Sequence, residues 1–509
     1  MLSELIANAS LGLNAAVSPM NLLYCLFGVT VGMFVGIIPG LGALAAMTML
    51  FPITFYVEPL GALIMMAGIW YGTTYGGAIT TILLNLPGEP KNAVTCIDGY
   101  PMTQAGRAGV ALFMTSVASF FGATVGILVM MMFSSAIAGV AIKFSAAEYS
   151  AMMVLGLVAS AVIADSPLYK SIGMVMLGIL LGLVGMDIHT GALRMTFGQF
   201  ELMEGIDLVA MSMGIFGLSE VLSSLRSTAI TSVKNSFTLR SMLPTRLEMK
   251  QSWGAMIRGS GLGTFFGILP GTGPAISAFM SYAVERRVAK DPSRFGKGAI
   301  EGIMGPEAAN NAADQTSFIP TLLLVIPGTA TMALMIGVMM IHGITPGPSI
   351  LNQNAELFWG LVMSFWIGNI ILVIMNIPFV GLWVKILQIP YKYIYPAVIM
   401  FVCIGAYSVN NSTYDVFVVI AFGLLGYVMR LAGFPAAPLI LGYILGPMLE
   451  ENLRRAVQLT GGDYSTFVTR PISGSILAIT ALMLCWGIWS TLRMRRLTAE
   501  ALMENTQVN

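Results

Sequence analysis

The chain has 509 residues, 56% of them hydrophobic and only 10% charged, with a formal net charge of +1. An ordinary soluble domain carries roughly 25% charged residues, so the composition excludes a soluble globular protein, and the balanced charge excludes the basic field that a nucleic-acid partner needs. Apolar runs of about 20 residues, the length of a bilayer-spanning helix, recur with no long polar block between them, which predicts one all-α polytopic membrane protein embedded in the lipid bilayer.

The N-terminal MLSELIANASLGLNAAVSP has no basic stretch followed by an apolar one, so no cleavable signal peptide is expected. Segments 20–38 and 43–56 are joined at Pro39-Gly40-Leu41-Gly42 and read as a re-entrant hairpin. Segment 61–86 breaks at Pro87-Gly88, within TILLNLPGEPKNA (81–93). Segments 109–142, 149–164, 171–186 and 206–224 lead to a basic loop. The hairpin pattern then returns at 256–269 and 274–284 around Pro270-Gly271-Thr272-Gly273. GVTVGMFVGIIPGLG (28–42) and GSGLGTFFGILPGTG (259–273) are identical at eight of fifteen positions, at a constant offset of 231. Segment 302–341 breaks at Pro327-Gly328 in TLLLVIPGTATMA (321–333), which aligns with the first break without gaps at an offset of 240. Segments 357–378, 394–409, 414–429, 435–449 and 474–492 follow, and the Pro- and Gly-rich region 430–472, with Glu450, Glu451, Arg454 and Arg455, resists threading.

The chain therefore reads as two copies of one unit, a re-entrant hairpin and then a broken helix, as in transporter folds with internal repeats. Residues 1–225 form the first repeat with its following helices and 226–255 a basic cytoplasmic loop. Residues 256–430 form the second repeat with its following helices, and 431–509 the C-terminal segments and a short tail. Arg226, Lys234, Arg240, Arg246, Lys250 and Arg258 precede the second hairpin and a further basic group lies at 284–300, whereas residues 1–20 and 55–60 contain only Glu4 and Glu58. By the positive-inside rule the second hairpin enters from the cytoplasm and the first from the opposite face, so the repeats are expected to be inverted.

A helix broken inside a membrane leaves N–H and C=O groups without partners, at several kcal/mol each, unless protein, water or a ligand satisfies them. The N-terminal end at such a break offers N–H groups and partial positive charge suited to a carboxylate, and the carbonyl end suits Na⁺. Gly40, Gly42, Gly271 and Gly273 are expected to supply positive φ and close backbone approach. The bland reading, a kink without a ligand, fits one Pro-Gly pair better than four in two registered copies. Asn310, Asp314, Ser317 and Thr321 form one stripe running into Pro327, and Thr74, Thr81 and Asn85 the corresponding stripe before Pro87. Small-residue packing explains the threonines but not Asp314, since an acidic residue within a membrane segment is expensive and usually functional. Lys91 can attract anions, and Asp98 reads as a solvated loop charge.

Other chemistries find no support. His189 and His342 are too few for a metal centre, the four cysteines show no metal or disulfide spacing, and no phosphate-binding loop exists for ATP hydrolysis. No Ser/Lys, His/Glu or Asp/Asp dyad sits at the breaks, so no enzyme activity is expected. Energy must come from an ion gradient or another subunit.

PGLG (39–42), YGTTYGGAITTILLNLPGEP (71–90), the DGYP and GRAG that follow, DIHTGALRMTFG (187–198), PGTGP, PEAANNA (306–312), LEENLRRA and FVTRP together resemble the large membrane subunit of the tripartite tricarboxylate transporter family over nearly the whole chain. The resemblance implies a multi-pass secondary transporter of the bacterial inner membrane. It implies two partners, a small membrane subunit and a periplasmic solute-binding protein, and import of citrate or other carboxylates with a cation gradient. On this reading the hairpin tips and helix breaks form one central site. Candidate substrate contacts are Gly40, Gly42, Thr81, Asn85, Pro87, Gly88, Gly271, Gly273, Asn310, Asn311, Pro327, Gly328 and Thr329. Candidate Na⁺ ligands are Gly40, Gly271, Asp314 and Ser317; Na⁺ or H⁺ is the coupling ion and no cofactor is expected. An ion channel built on the same broken helices is the alternative, and it predicts continuous flux without a binding protein.

Overall fold

The computed structural model describes residues 2–38, 41–86, 89–141, 144–164, 166–187, 190–224, 239–269, 273–386 and 391–507. Helix α1 (Leu2–Ala16) leads to α2 (Pro19–Ile37), which opens with Pro19 in its first turn and the Ser18 hydroxyl accepting the Asn21 N–H at 3.4 Å. Helix α3 (Ala43–Leu50) continues through a 3₁₀ turn at Phe51–Tyr56 and is the return arm of the first hairpin. The long α4 (Pro59–Leu84) follows, then α5 (Ala93–Gln104), α6 (Ala108–Ala141), α7 (Ala146–Ile163) and α8 (Leu168–Gly182).

Strands β1 (Gly185–Met186) and β2 (Leu193–Arg194) pair antiparallel in the loop before α9 (Leu208–Ser212) and α10 (Ser219–Ser224), which are joined by a π-helical turn. His189 and most of the basic loop lie outside the described residues. The second hairpin is α11 (Arg246–Ile268) and α12 (Gly273–Val288). Helix α13 (Glu301–Thr316), a π turn at Ile319–Leu323 and α14 (Ala330–Ile341) form the second broken helix. Helices α15 (Ile350–Gln353), α16 (Ala355–Ile386), α17 (Tyr391–Asn410), α18 (Thr413–Leu431), α19 (Ala436–Leu459), α20 (Thr466–Thr469) and α21 (Pro471–Gln507) complete the chain.

The protein is an all-α polytopic membrane protein. Among the described residues five helices are long and apolar enough to cross a bilayer, within α2, α6, α16, α18 and α21. Two expected boundaries move. Helix α11 starts at Arg246 instead of near 256, because Thr245 and Glu248 close a capping box there. Helix α19 runs past 449 to Leu459, because its charges are paired: Arg454 reaches Glu450 at 2.5 Å and Asp187 at 3.2 Å, and Arg194 reaches Glu450 at 2.9 Å.

Helices α4 and α13 sit in the interior, buried from Gly61 to Leu83 and from Gly302 to Thr316. A helix covered on all sides is part of the core rather than of the lipid-facing wall. Each is packed by the first arm of its hairpin through a row of glycines. Gly28, Gly32 and Gly36 of α2 lie on the backbone of Met65, Ile69 and Thr73 of α4. Gly259, Gly263 and Gly267 of α11 lie on Gly305, Ala309 and Ala313 of α13. The paired helices run side by side in the same direction, so close that a Cβ on any of these glycines would overlap the facing backbone. The second row is the first shifted by 231 in the hairpin (259 − 28) and by 240 in the partner helix (305 − 65), the two offsets of the sequence repeat. Where α4 passes α13, Trp70 lies against Phe318 with ring centroids 6.4 Å apart, and Thr74 meets Asp314. The two helices therefore run past each other in opposite directions.

Candidate functional site

The site begins where α4 ends. Asn85 takes a left-handed conformation, φ +58°, and turns the chain back. Pro87 and Gly88 lie outside the described residues, as do Gly40 and Gly271. Glu89 and the 3₁₀ turn Pro90–Asn92 then bring a lysine into the interior. Lys91 is 5% exposed, its ammonium 3.1 Å from Asp314 Oδ2 and 3.3 Å from Glu89 Oε2, and 5.0 Å above the Trp70 ring. The Thr74 hydroxyl donates to Asp314 Oδ2 at 3.1 Å. Glu89 Oε1 accepts the Ala43 N–H at 2.6 Å. The first amide of α3, at the tip of the first hairpin, is thus already bonded to a carboxylate, as a helix N-terminus favours.

The second unit repeats this backbone with other side chains. Val325 stands 240 residues after Asn85 and is also left-handed, φ +57°. A β-branched residue is rarely found in that region, and here it is fully buried. Thr329 caps α14 by accepting the Met332 N–H at 3.3 Å. At the first tip a Cβ on Gly42 would lie 3.4 Å from Glu89 Oε1; at the second, a Cβ on Gly273 would lie 3.7 Å from Thr329 Cγ2. The seat that holds a carboxylate in one unit faces a neutral threonine in the other. Gly273, Pro327, Gly328 and Thr329 line one cavity of about 500 Å³, together with Pro90 of the first break.

The candidates thus divide. Those four residues share a cavity, while Gly42, Asn310 and Asp314 gather around the Glu89–Lys91 return. Asn310 reaches the Lys91 carbonyl at 3.5 Å and accepts from Asn311 Nδ2 at 2.7 Å, which ties both asparagines into the packed interior. Thr81 and Ser317 donate to the carbonyls of Gly77 and Ala313, at 2.7 and 2.6 Å, so their hydroxyls are used within their own helices. Asn85 is exposed, and neither it nor Thr81 lines the cavity.

Two expectations are revised. Gly42 has φ −91° and ψ 179°, extended backbone open to any residue, so of the two described tip glycines only Gly273, at φ +62°, needs glycine for its conformation. Asp98 is buried: its Oδ1 accepts the N–H groups of Gly296, Gly298 and Ala299 at 2.8 Å, and its Oδ2 accepts from the Tyr282 hydroxyl at 3.0 Å. Asp98 thereby pins the 296–299 loop to α5. Asp314 is bonded to an ammonium and a hydroxyl of the chain itself, and among the described residues no group of three or more His, Cys, Asp or Glu could hold a metal ion. Glu307, absent from the candidates the sequence offers, is fully buried and stands seven residues before Asp314 on the same helix. That spacing on an interior helix was the available signal.

The sequence model of the tripartite tricarboxylate transporter TctA family matches residues 22–441. Two proteins of Agrobacterium vitis are similar. An uncharacterized 52.8 kDa protein in the TAR-I ttuC' 3' region is 46% identical over 493 residues, 97% of this chain and 98% of that protein. An uncharacterized protein in the TAR-II ttuC' 3' region is 49% identical over 234 residues, 46% of this chain and 97% of that protein. No solved structure matches. The chain belongs to the tripartite tricarboxylate transporter TctA family.

Proposed function

We propose that this chain is the large membrane subunit of a secondary transporter of the bacterial inner membrane. It imports di- or tricarboxylates with a Na⁺ or H⁺ gradient and receives them from a periplasmic solute-binding protein, with a small membrane subunit beside it. The observation that carries this reading is the carboxylate of Glu89 on the Ala43 amide, beside the Lys91 ammonium. Glu89 stands in for a substrate carboxylate, and the equivalent position at Gly273 and Thr329 opens on a cavity. One substrate carboxylate binds at the α12 tip from that cavity, and another displaces Glu89 from the α3 tip.

The repeats are inverted: the opposite loop charges support this, and so does the antiparallel passage of α4 and α13 at equivalent positions, since 74 + 240 = 314. Arg430 and Ser166 also line the cavity. For a cation to bind Asp314, Lys91 must let go. Cation loading is thereby linked to movement of the Glu89–Lys91 return, which also holds the first hairpin.

The test is uptake of a panel of labelled carboxylates into proteoliposomes, with and without the small subunit and the binding protein. Saturable uptake that needs both partners and an imposed cation gradient supports the reading. Steady flux without the binding protein would favour a channel, and no carboxylate uptake under any condition would refute it.

A further inference from the structure

Glu307 is a buried carboxylate of the α4–α13 core with no ion-pair partner among the described residues. It is 0% exposed. The Thr95 hydroxyl of α5 donates to its Oε1 at 2.5 Å, and the Ser119 hydroxyl of α6 to its Oε2 at 3.3 Å. Among the described residues no lysine, arginine or histidine forms an ion pair with it. A bare carboxylate in such a place costs several kcal/mol, and two hydroxyl donors with the Asn310 side chain recover only part of that.

The other buried charged groups on the surrounding elements are already committed. Lys91, on the return before α5, is bonded to Asp314 and Glu89. Asp98 of α5 is held by three amides and Tyr282. Arg258 of α11 forms a bidentate pair with Glu285 of α12, at 2.9 and 2.6 Å. Glu301, at the start of α13, pairs with Arg294. Helices α4 and α6 contribute no charged residue; α4 adds the buried Tyr75 hydroxyl, which has no hydrogen-bond partner among the described residues.

We propose that Glu307 is a proton-binding site and carries the coupling proton of transport. The inference rests on the transport reading above and names H⁺ as the ion and Glu307, rather than Asp314, as its carrier. The step makes and breaks one bond, the carboxyl O–H: Glu307 takes a proton from the outer face and releases it to water on the inner face as the core moves. Electrostatics supplies the coupling. Glu89, Lys91 and Asp314 sum formally to −1, and a bare Glu307 adds a second negative charge to the core that an anionic substrate must approach. Protonation removes that charge, so the substrate is admitted together with the proton.

The test uses the full chain with its small subunit and binding protein in proteoliposomes, as wild type and Glu307→Gln, the isostere of the protonated acid. Two transport modes are measured at fixed Na⁺: exchange of labelled carboxylate at equal pH, and accumulation driven by a pH gradient. Glu307→Gln is expected to keep exchange and to lose pH-driven accumulation together with substrate-linked proton entry. Accumulation that still follows the pH gradient in Glu307→Gln overturns the proposal. So does wild-type accumulation that follows Na⁺ alone.

Infrared spectra of the purified protein in lipid give a second readout, independent of transport. The wild type is expected to show a neutral-carboxyl C=O band that titrates with pH and is missing in Glu307→Gln. Absence of such a difference overturns the proposal even if the variant is inactive in both modes. Failure of the wild type to move any carboxylate, with the infrared band present, would instead refute the transport reading and leave the proton site standing.

Discussion

Removing Lys91 should harm the fold far more than removing Lys91 and Asp314 together. The ammonium and the carboxylate are 3.1 Å apart, with side chains 6% and 0% exposed. At an effective dielectric constant of about 20, charges at that distance attract by roughly 5 kcal/mol, and the desolvation of both groups offsets much of this while the pair is intact. Lys91→Met leaves the Asp314 carboxylate buried with only the Thr74 hydroxyl, and stranding one charge of a buried pair costs about 3–5 kcal/mol. In Lys91→Met/Asp314→Leu neither charge remains. The Thr74 hydroxyl keeps the Trp70 carbonyl at 3.3 Å, and Glu89 keeps the Ala43 amide, so the double variant should lie within about 1 kcal/mol of wild type. Unfolding of the four proteins of this cycle in mixed micelles, by denaturant titration with intrinsic fluorescence, measures the coupling. If the losses of the two single variants simply add in the double variant, the pair is not the buried unit described here.

Three further outcomes follow. Gly273→Ala should cost about 1–2 kcal/mol, because φ +62° is unfavourable for any residue with a Cβ, whereas Gly42→Ala should be nearly neutral, the nearest atom being 3.4 Å away; thermal unfolding of both separates tip conformation from tip chemistry. Single cysteines at positions 58 and 290, made as Glu58→Cys and Lys290→Cys in a cysteine-free background, should label from the periplasm and the cytoplasm respectively, and labelling of both from one side would remove the inversion. Burial alone would lift the Glu248 carboxyl, but the Thr245 N–H, the Arg107 guanidinium and the Thr245 hydroxyl outweigh it and hold it below its usual range. The stability from this cap is therefore present above the ordinary Glu range and lost as pH falls through and below it, so the melting temperature of wild type should drop more steeply with acid than that of Glu248→Gln.

The scaffold was legible in the sequence because it is written in glycine. The offsets of 231 and 240 recur as helix contacts at Gly28 and Gly259, Gly32 and Gly263, Gly36 and Gly267, since only a residue without Cβ allows that approach and its spacing must repeat where the packing repeats. The charges were not legible in the same way. Asp98 reads as a loop charge because Pro-Gly announces a turn without saying at what depth the turn lies. Here the chain turns back into the protein: Lys91 and Asp98 end buried and Glu89 partly so. The threonine stripe is satisfied locally, as small-residue packing has it: Thr81 and Thr321 bond the carbonyl four residues back, and periodicity places them on a face without telling which way the hydroxyl turns.

Departures from the repeat mark the chemistry more sharply than the repeat itself. At an offset of 240, Ala67 corresponds to Glu307, Thr74 to Asp314, Glu89 to Thr329 and Lys91 to Thr331. Every charged group of the central network faces an uncharged residue at its equivalent position. A two-fold arrangement with the same charge in both copies would place like charges together near the crossing of α4 and α13, where Thr74 and Asp314 already touch, and like charges at that separation repel strongly inside a protein. An Asp in both copies there would set carboxylate against carboxylate. The symmetric backbone therefore requires asymmetric side chains at its centre, which leaves one hairpin tip held by a carboxylate of the chain and the other facing a neutral threonine.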